Sequence, residues 1–335
     1  MSVETFGRTA DGHDVYRVQI SGGGLKASII TFGAAIQDLR IEGHGFPLVL
    51  GFETFEPYET HAAFFGAIAG RYANRVRGGR FTIDGERYQA DTNFLGRHLL
   101  HGGSRGFDRR LWTIEGSDAH GVTLRHMSER GDMGFPGALE VTCTYRLLPG
   151  GRLTMTLCAE TDAPTLCNLA HHSYFNLDDG GRSSIRDHRL EIRGEAYLPV
   201  DDDMIPTGHV VPVEGTAFDF RLARTVESDE GQLYDHNFCL SAERGAARRV
   251  AWAQGATSGL EMEVWTGEPG LQFYDGAHLA GEGPGLGGIR YHAHAGFCLE
   301  PQVWPDSPNR PYFPQAVLRP GETYRQETEY RFKVG

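Results

Sequence analysis

Cysteine is scarce and unpatterned. Cys143, Cys158, Cys167, Cys239 and Cys298 are an odd set of five with no C-x-x-C spacing, which favours neither a disulfide framework nor a thiolate zinc site. Basic charge is also short: 32 Lys and Arg against 44 Asp and Glu leave a net charge of −12, so a nucleic-acid partner is not expected. No apolar run approaches the roughly 18 residues that read as a membrane-spanning helix. The opening MSVETFGRTADGHD has no basic stretch followed by an apolar one, so it does not read as a signal peptide and the expected compartment is the cytoplasm. H-E-x-x-H is missing, and no repeat of fixed period or linker block divides the chain. One domain over residues 1–335 is expected.

What is present is β-sheet patterning. Leu139, Val141, Cys143, Tyr145 and Leu147 alternate with polar residues, as do Leu153, Met155 and Leu157. A half-buried strand turns successive side chains to opposite faces, so this period of two is its mark. Gly150-Gly151 between these runs reads as a hairpin turn, and Asp84-Gly85 between Phe81-Thr82-Ile83 and Glu86-Arg87-Tyr88 as a second. Val122/Leu124, Leu190/Ile192, Leu260/Met262/Val264 and Tyr330/Phe332/Val334 continue the pattern. Glycine (45) and proline (16) are spread evenly, as many short strands joined by tight turns require. Helical periodicity is weak; the best candidate, HAAFFGAIAG after Thr60, is interrupted by Gly66 and Gly70. The expected fold class is all-β, a large antiparallel domain with few short helices.

Several polar residues stand in apolar or glycine-rich settings. His101 lies in Leu99-Leu100-His101-Gly102-Gly103, and His172 in His171-His172-Ser173-Tyr174-Phe175-Asn176-Leu177, where a strand would put 172, 174 and 176 on one face. The plain alternative for each is a buried, hydrogen-bonded histidine. Glu300 sits between Phe297-Cys298-Leu299 and Pro301-Gln302-Val303-Trp304; burial there would raise its pKa and make it a stronger base when ionised. A buried ion pair is the alternative. Among Arg71, Arg75, Arg77 and Arg80, the interruption by Tyr, Ala, Val and Gly suggests that Arg71 or Arg75 points inward. Asp235 in Tyr234-Asp235-His236-Asn237-Phe238 is a candidate acceptor. A metal is not expected: the His292/His294 pair alone is not specific, and Gly281 to Gly285 reads as a loop rather than a phosphate cradle.

Taken in order, GRYANRVRGGRFTIDG, LLHGG with GFDRRLW, HHSYFNL, DDDMIPTG, YDHNF, GEPGLQFY and GFCLEPQVWPDSPN resemble the motifs of the aldose 1-epimerase (galactose mutarotase) family over most of the chain. The resemblance implies a large antiparallel β-sandwich of the galactose-mutarotase type with an open cleft for a monosaccharide, and no cofactor. It implies that Glu300 is the catalytic base, His172 the acid and His101 a supporting histidine. Asn74, Arg75, Asp235 and Gln272 match its sugar-binding positions. The chain departs from the family at His171 and His98, where Asn is common; the resemblance puts both near the site.

On this reading nearby carboxylates would raise the pKa of His172 and keep it charged. His101 would either donate to the developing charge or orient the sugar, and Tyr174 or Trp304 would stack on the sugar face. Two rivals carry forward. One is an epimerase of hexose 6-phosphates on the same fold, using the arginines for the phosphate. The other is a non-catalytic sugar-binding protein. Neither the preferred aldose nor the oligomeric state follows from the sequence.

Overall fold

The computed structural model describes residues 1–60, 64–227, 231–280 and 283–335. Three antiparallel sheets organise it. The first is a meander of Ser2–Arg8, Asp14–Gly22, Leu25–Ile30 and Ile36–Ile41. The largest has nine strands, and its centre runs Leu139–Leu148, Arg152–Thr161, Tyr324–Lys333, Glu261–Thr266 and Arg248–Gln254. The third has five strands and ends in three neighbours: Asp235–Cys239, Gly270–Tyr274 and Cys298–Gln302.

Alternation sets the packing. Leu139, Val141, Cys143, Tyr145 and Leu147 all lie in one core with Val18, Leu39, Phe273 and Leu299, so the three sheets bury their apolar faces against one another. Each large side chain buried there contributes about 1.5–3 kcal/mol. Both hairpins form as their residues require. Ile83 pairs with Glu86 across Asp84 (φ 53°) and Gly85 (φ 84°), the left-handed pair that a two-residue turn of type I′ demands. Leu148 pairs with Arg152 around Pro149-Gly150-Gly151.

Among the described residues the one α-helix is Glu56–Thr60. The helical candidate after Thr60 is not helical where it is described. Residues 61–63 lie outside the described residues, and Ile68–Ala69 is a short strand. No helix is long and apolar enough to cross a membrane.

Two of the four clustered arginines do point inward, with different duties. Arg71 is 2% exposed, and all five of its N–H donors find oxygens. Nε donates to Ser128 Oγ, Nη1 to the carbonyls of Pro136 and Gly137, and Nη2 to those of Ser128 and Glu129. Burial lowers its pKa to about 10, which leaves it charged near neutrality. The cation therefore ties the segment that leads into Asn74 and Arg75 to the 128–137 loop. Arg71→Lys has three donors for five acceptors and should lose about 3 kcal/mol in urea unfolding; a loss under about 1 kcal/mol would contradict this role for Arg71.

Candidate active site

The site is assembled from opposite ends of the chain by strand register. In the five-stranded sheet Asn237 pairs with Gln272 and Gln272 with Glu300, while Asp235 pairs with Tyr274 and Tyr274 with Cys298. Period two puts all of these on one face, away from Phe273 and Leu299 in the core. That face meets three further segments. His172 follows the short strand Ala170–His171, and its backbone is held by Ala67 O and Gly66 N. Asn74 precedes Arg75–Val76, which pairs with Leu99–Leu100, the residues just before His101.

Asn74 and His101 brace each other. The N–H of His101 donates to Asn74 O (3.0 Å) and the N–H of Asn74 donates to His101 Nδ1 (3.1 Å). Both residues have left-handed backbone, at φ 66° and 48°. The turn continues into Gly102, where a Cβ would come within 1.8 Å of Gly70 O, so glycine is required. Because Nδ1 of His101 accepts, its hydrogen sits on Nε2. Burial, reinforced by the charges of His172 and Arg75, drives its pKa well down, so it is a neutral donor.

His172 and Glu300 share the floor of a cleft of about 340 Å³. Nε2 of His172 lies 3.8 Å from Glu300 Oε1, and the two side chains are 6% and 2% exposed. Burial pushes the Glu300 carboxyl well above its usual range; the negative charge of Asp235 adds to this and Arg75 partly offsets it. Burial also lowers His172 to about 4, against the smaller pull of its own carbonyl and Asp235. The expectation that neighbouring carboxylates keep His172 charged is thus reversed, because desolvation outweighs their attraction. Burial thus favours the uncharged form of both groups.

Asp235 accepts from Arg75 Nη2 (3.0 Å) and Gln272 Nε2 (2.6 Å). Burial would raise its pKa, but the Arg75 charge and these two bonds prevail and hold it below the ordinary value. Arg75 lies over the Phe94 ring at 4.7 Å.

Asn74, Arg75, His101, His172, Asp235 and Glu300 all line the cleft, and so does Tyr174. Gln272 is buried beside Glu300 on the same sheet face: its Nε2 donates to Asp235, and its Oε1 has no hydrogen-bond partner among the described residues. Trp304 is not at the cleft either; its indole N–H donates to Pro269 O and its ring packs with Leu198 and Phe313. His171 faces the core, between Tyr330 OH and Ser173 Oγ. His98 is spent on Gly78 N and Asp203. Neither departure from the family pattern therefore touches the cleft. Phe64, Tyr274 and His278 line it unforeseen. Tyr274 was legible as the second residue after Gln272 on the same face, whereas Phe64 comes from a loop with no pattern.

Ligand atoms of His101, His172 and Glu300 lie within 4.8 Å of one another, close enough to suggest a metal triad. The chemistry does not suit one: a bound ion needs the Nε2 lone pair, and His101 presents Nε2–H because Asn74 N–H occupies Nδ1. His292 and His294 instead bond separate backbone carbonyls, of Ala293 and Arg182 and of Asp275. Ser104 stands in G-x-S-x-G spacing at 102–106, but its Oγ meets Met133 Sδ rather than a base.

The aldose 1-epimerase family profile matches residues 16–331. Galactose mutarotase of Rattus norvegicus is 43% identical over 332 residues, covering 96% of this chain and 95% of the relative. Aldose 1-epimerase of Escherichia coli K12 is 40% identical over 322 residues, covering 92% of each. Among solved structures, an aldose epimerase homologue from C. elegans superposes with a TM-score of 0.88 at 30% identity, covering 95% of this chain and 98% of that one. Galactose 1-epimerase from Lactobacillus acidophilus gives 0.85 at 26% identity, covering 100% and 98%.

A carboxyl whose pKa is raised in the fold costs stability as pH climbs past its unfolded value. Glu300→Gln removes that cost. In thermal melts its Tm should equal or exceed that of the wild type, with a gap that is wider at pH 8 than at pH 5; a gap that shrinks with pH would mean that Glu300 is stabilised as the anion.

Proposed function

The chain belongs to the aldose 1-epimerase family, and from that premise we propose that Glu300 and His172 interconvert the α and β anomers of free aldohexoses such as galactose and glucose as a base and acid sharing one proton. The enzyme is an isomerase. A cyclic aldose is a hemiacetal, and its anomers exchange by ring opening. The C1 hydroxyl must lose a proton and the ring oxygen must gain one. Both oxygens are bonded to one carbon, so the two protein groups must converge on one small volume, each within about 2.6–3.2 Å of its oxygen. The observation that carries this reading is the 3.8 Å approach of Nε2 to Oε1, between side chains 6% and 2% exposed that line one cleft.

In the ring-closed complex the proton of the pair sits on His172 and Glu300 is ionised. Glu300 takes the C1 hydroxyl proton as His172 gives its own to the ring oxygen. The ring opens, leaving Glu300 protonated, His172 neutral and a free aldehyde. That is also the protonation pattern that burial favours in the empty cleft, so the low dielectric supports the opened state. The aldehyde turns about C1–C2, and the same two transfers run backwards to close the other anomer. Each positioned transfer is worth about 10²–10⁴ in rate. His101 supplies a fixed Nε2–H to the oxygens that carry charge during opening. Asn74, Arg75 and Asp235 hold hydroxyls, Gln272 fixes Asp235, and Tyr174 offers a ring to the sugar's apolar face.

The arrangement of cations speaks against a phosphorylated substrate. Arg71 is consumed by backbone carbonyls, Arg75 is paired with Asp235, Arg77 is paired with Asp201, and Arg80 reaches Gln89. A purely sugar-binding role would leave the buried carboxyl beside a buried imidazole without a purpose. The reading takes residues 1–335 as one domain, since the main core runs from Val18 to Phe332. It places the protein in the cytoplasm, a reducing compartment in keeping with five free cysteines.

Polarimetry on freshly dissolved α-glucose tests the assignment: Glu300→Gln and His172→Asn should each lower kcat by about 10²–10⁴. Near-normal rates in either would remove that residue from its role. The pair is active only with one proton, so kcat/KM should be bell-shaped. The acid limb lies near 4, where His172 gains a second proton, and the alkaline limb lies above the ordinary carboxylate range, where Glu300 loses the last one. An acid limb at the usual imidazole value of 6.5 would refute the desolvated pair.

A further inference from the structure

The strand that carries the base also grips the far side of the acid. Cys298 stands two residues before Glu300 on Cys298–Gln302 and so shares its face. Two residues of strand span about 6.6–6.8 Å, and the imidazole of His172 lies across that gap. Its Nε2 approaches Glu300 Oε1 at 3.8 Å, while its Nδ1 approaches Cys298 Sγ at 3.5 Å. Among the described residues, Cys298 is the one side chain within hydrogen-bond distance of Nδ1. The backbone carbonyl of His172 also faces the ring and spends one of its two lone pairs on Gly66 N, so it and the sulfur are the two acceptors beside the imidazole.

General acid catalysis restricts which nitrogen is free. The proton that reaches the ring oxygen must leave Nε2, and it must return there on closure. Nδ1 must therefore keep its own hydrogen throughout the cycle. The opposite neutral tautomer would leave Nδ1 bare and turn a nearly non-acidic N–H toward the sugar. A thiol sulfur is a weak acceptor that can hold Nδ1–H without adding charge. Cys298 is fully buried, and burial keeps it a thiol by raising its pKa well above the ordinary value. A carboxylate in its place would stabilise the imidazolium and make it a poorer acid.

We propose that Cys298 is a positioning residue for the general acid: its sulfur accepts the Nδ1 hydrogen of His172, so that proton exchange with the sugar runs through Nε2 alone. This rests on the assignment of His172 as the acid. The charged and titratable groups facing the imidazole are Glu300 from the same strand, Asp235, Arg75, His101, the adjoining His171 and Tyr174. They set how readily the ring is charged, while the sulfur sets which nitrogen carries the fixed hydrogen.

The test combines kinetics with ¹⁵N NMR of histidine-labelled enzyme. In the wild type the His172 ring should read as protonated at Nδ1 near neutral pH; a bare Nδ1 overturns the proposal without any variant being made. Cys298→Ala should lower kcat about tenfold while KM for glucose changes less than about twofold, and should shift the ring toward mixed tautomers. Cys298→Ser, whose hydroxyl still accepts, should recover kcat to within about threefold of wild type. Unchanged kcat and ¹⁵N shifts in Cys298→Ala overturn the proposal. A Cys298→Ser variant as impaired as Cys298→Ala also overturns it, because packing volume would then explain the loss. Should the alanine variant fail to fold, the wild-type spectrum and the serine variant decide. Full activity in His172→Asn would instead sink the acid assignment itself, an outcome that none of the Cys298 readings can mimic.

Discussion

A carboxyl and an imidazole buried side by side in one cleft, with burial favouring the uncharged form of each, are the constraint on which the rest of this protein rests. An isolated buried anion or cation would cost several kcal/mol. A pair that keeps one proton between two sites is neutral overall and can exist there in either tautomer. Burial favours the form with both groups uncharged, and in the proposed reaction the sugar carries the proton to the other form. Catalysis and tolerance of burial are thus the same property of the pair.

The surroundings preserve that neutrality. Burial does not neutralise Asp235 in the cleft, because the Arg75 charge and one hydrogen bond to each of its oxygens, from Arg75 and Gln272, hold it as the anion. Arg75 in turn is spent on Asp235 and on the Phe94 face. His101 adds a dipole without a charge, since Asn74 closes its second nitrogen. His101 and Asp235 are thus each tied to neighbouring residues while facing the cleft. Arg71 plays the corresponding part behind the site, where one cation collects five oxygens and anchors the segment bearing Asn74 and Arg75.

The five-stranded sheet explains why these groups come from such distant parts of the chain. Antiparallel register alone brings Asp235, Tyr274, Cys298 and Glu300 to one face. A slip of one residue would send them all into the core and Leu271, Phe273 and Leu299 into the cleft. The apolar face that packs the core is thus also what aims the catalytic face, and stability and function are set by the same alternation.

Much of this was legible in the sequence. Period-two runs, Asp84-Gly85 and the glycines around 150 specify strands and turns through local backbone sterics, which neighbours in sequence control. Motif order singled out Glu300, His172, His101, Asn74, Arg75 and Asp235, and the fold brings all six to one cleft. Depth and direction were not legible. Trp304 looks like a sugar contact in sequence but packs away from the cleft, His171 turns to the core, and Phe64 enters from a loop without pattern. The sequence likewise suggested a charged His172, whereas the folded chain discharges it. Alternation tells which face a residue takes, but not what covers that face. Only packing of segments far apart in the chain decides how much water remains, and with it where the proton resides.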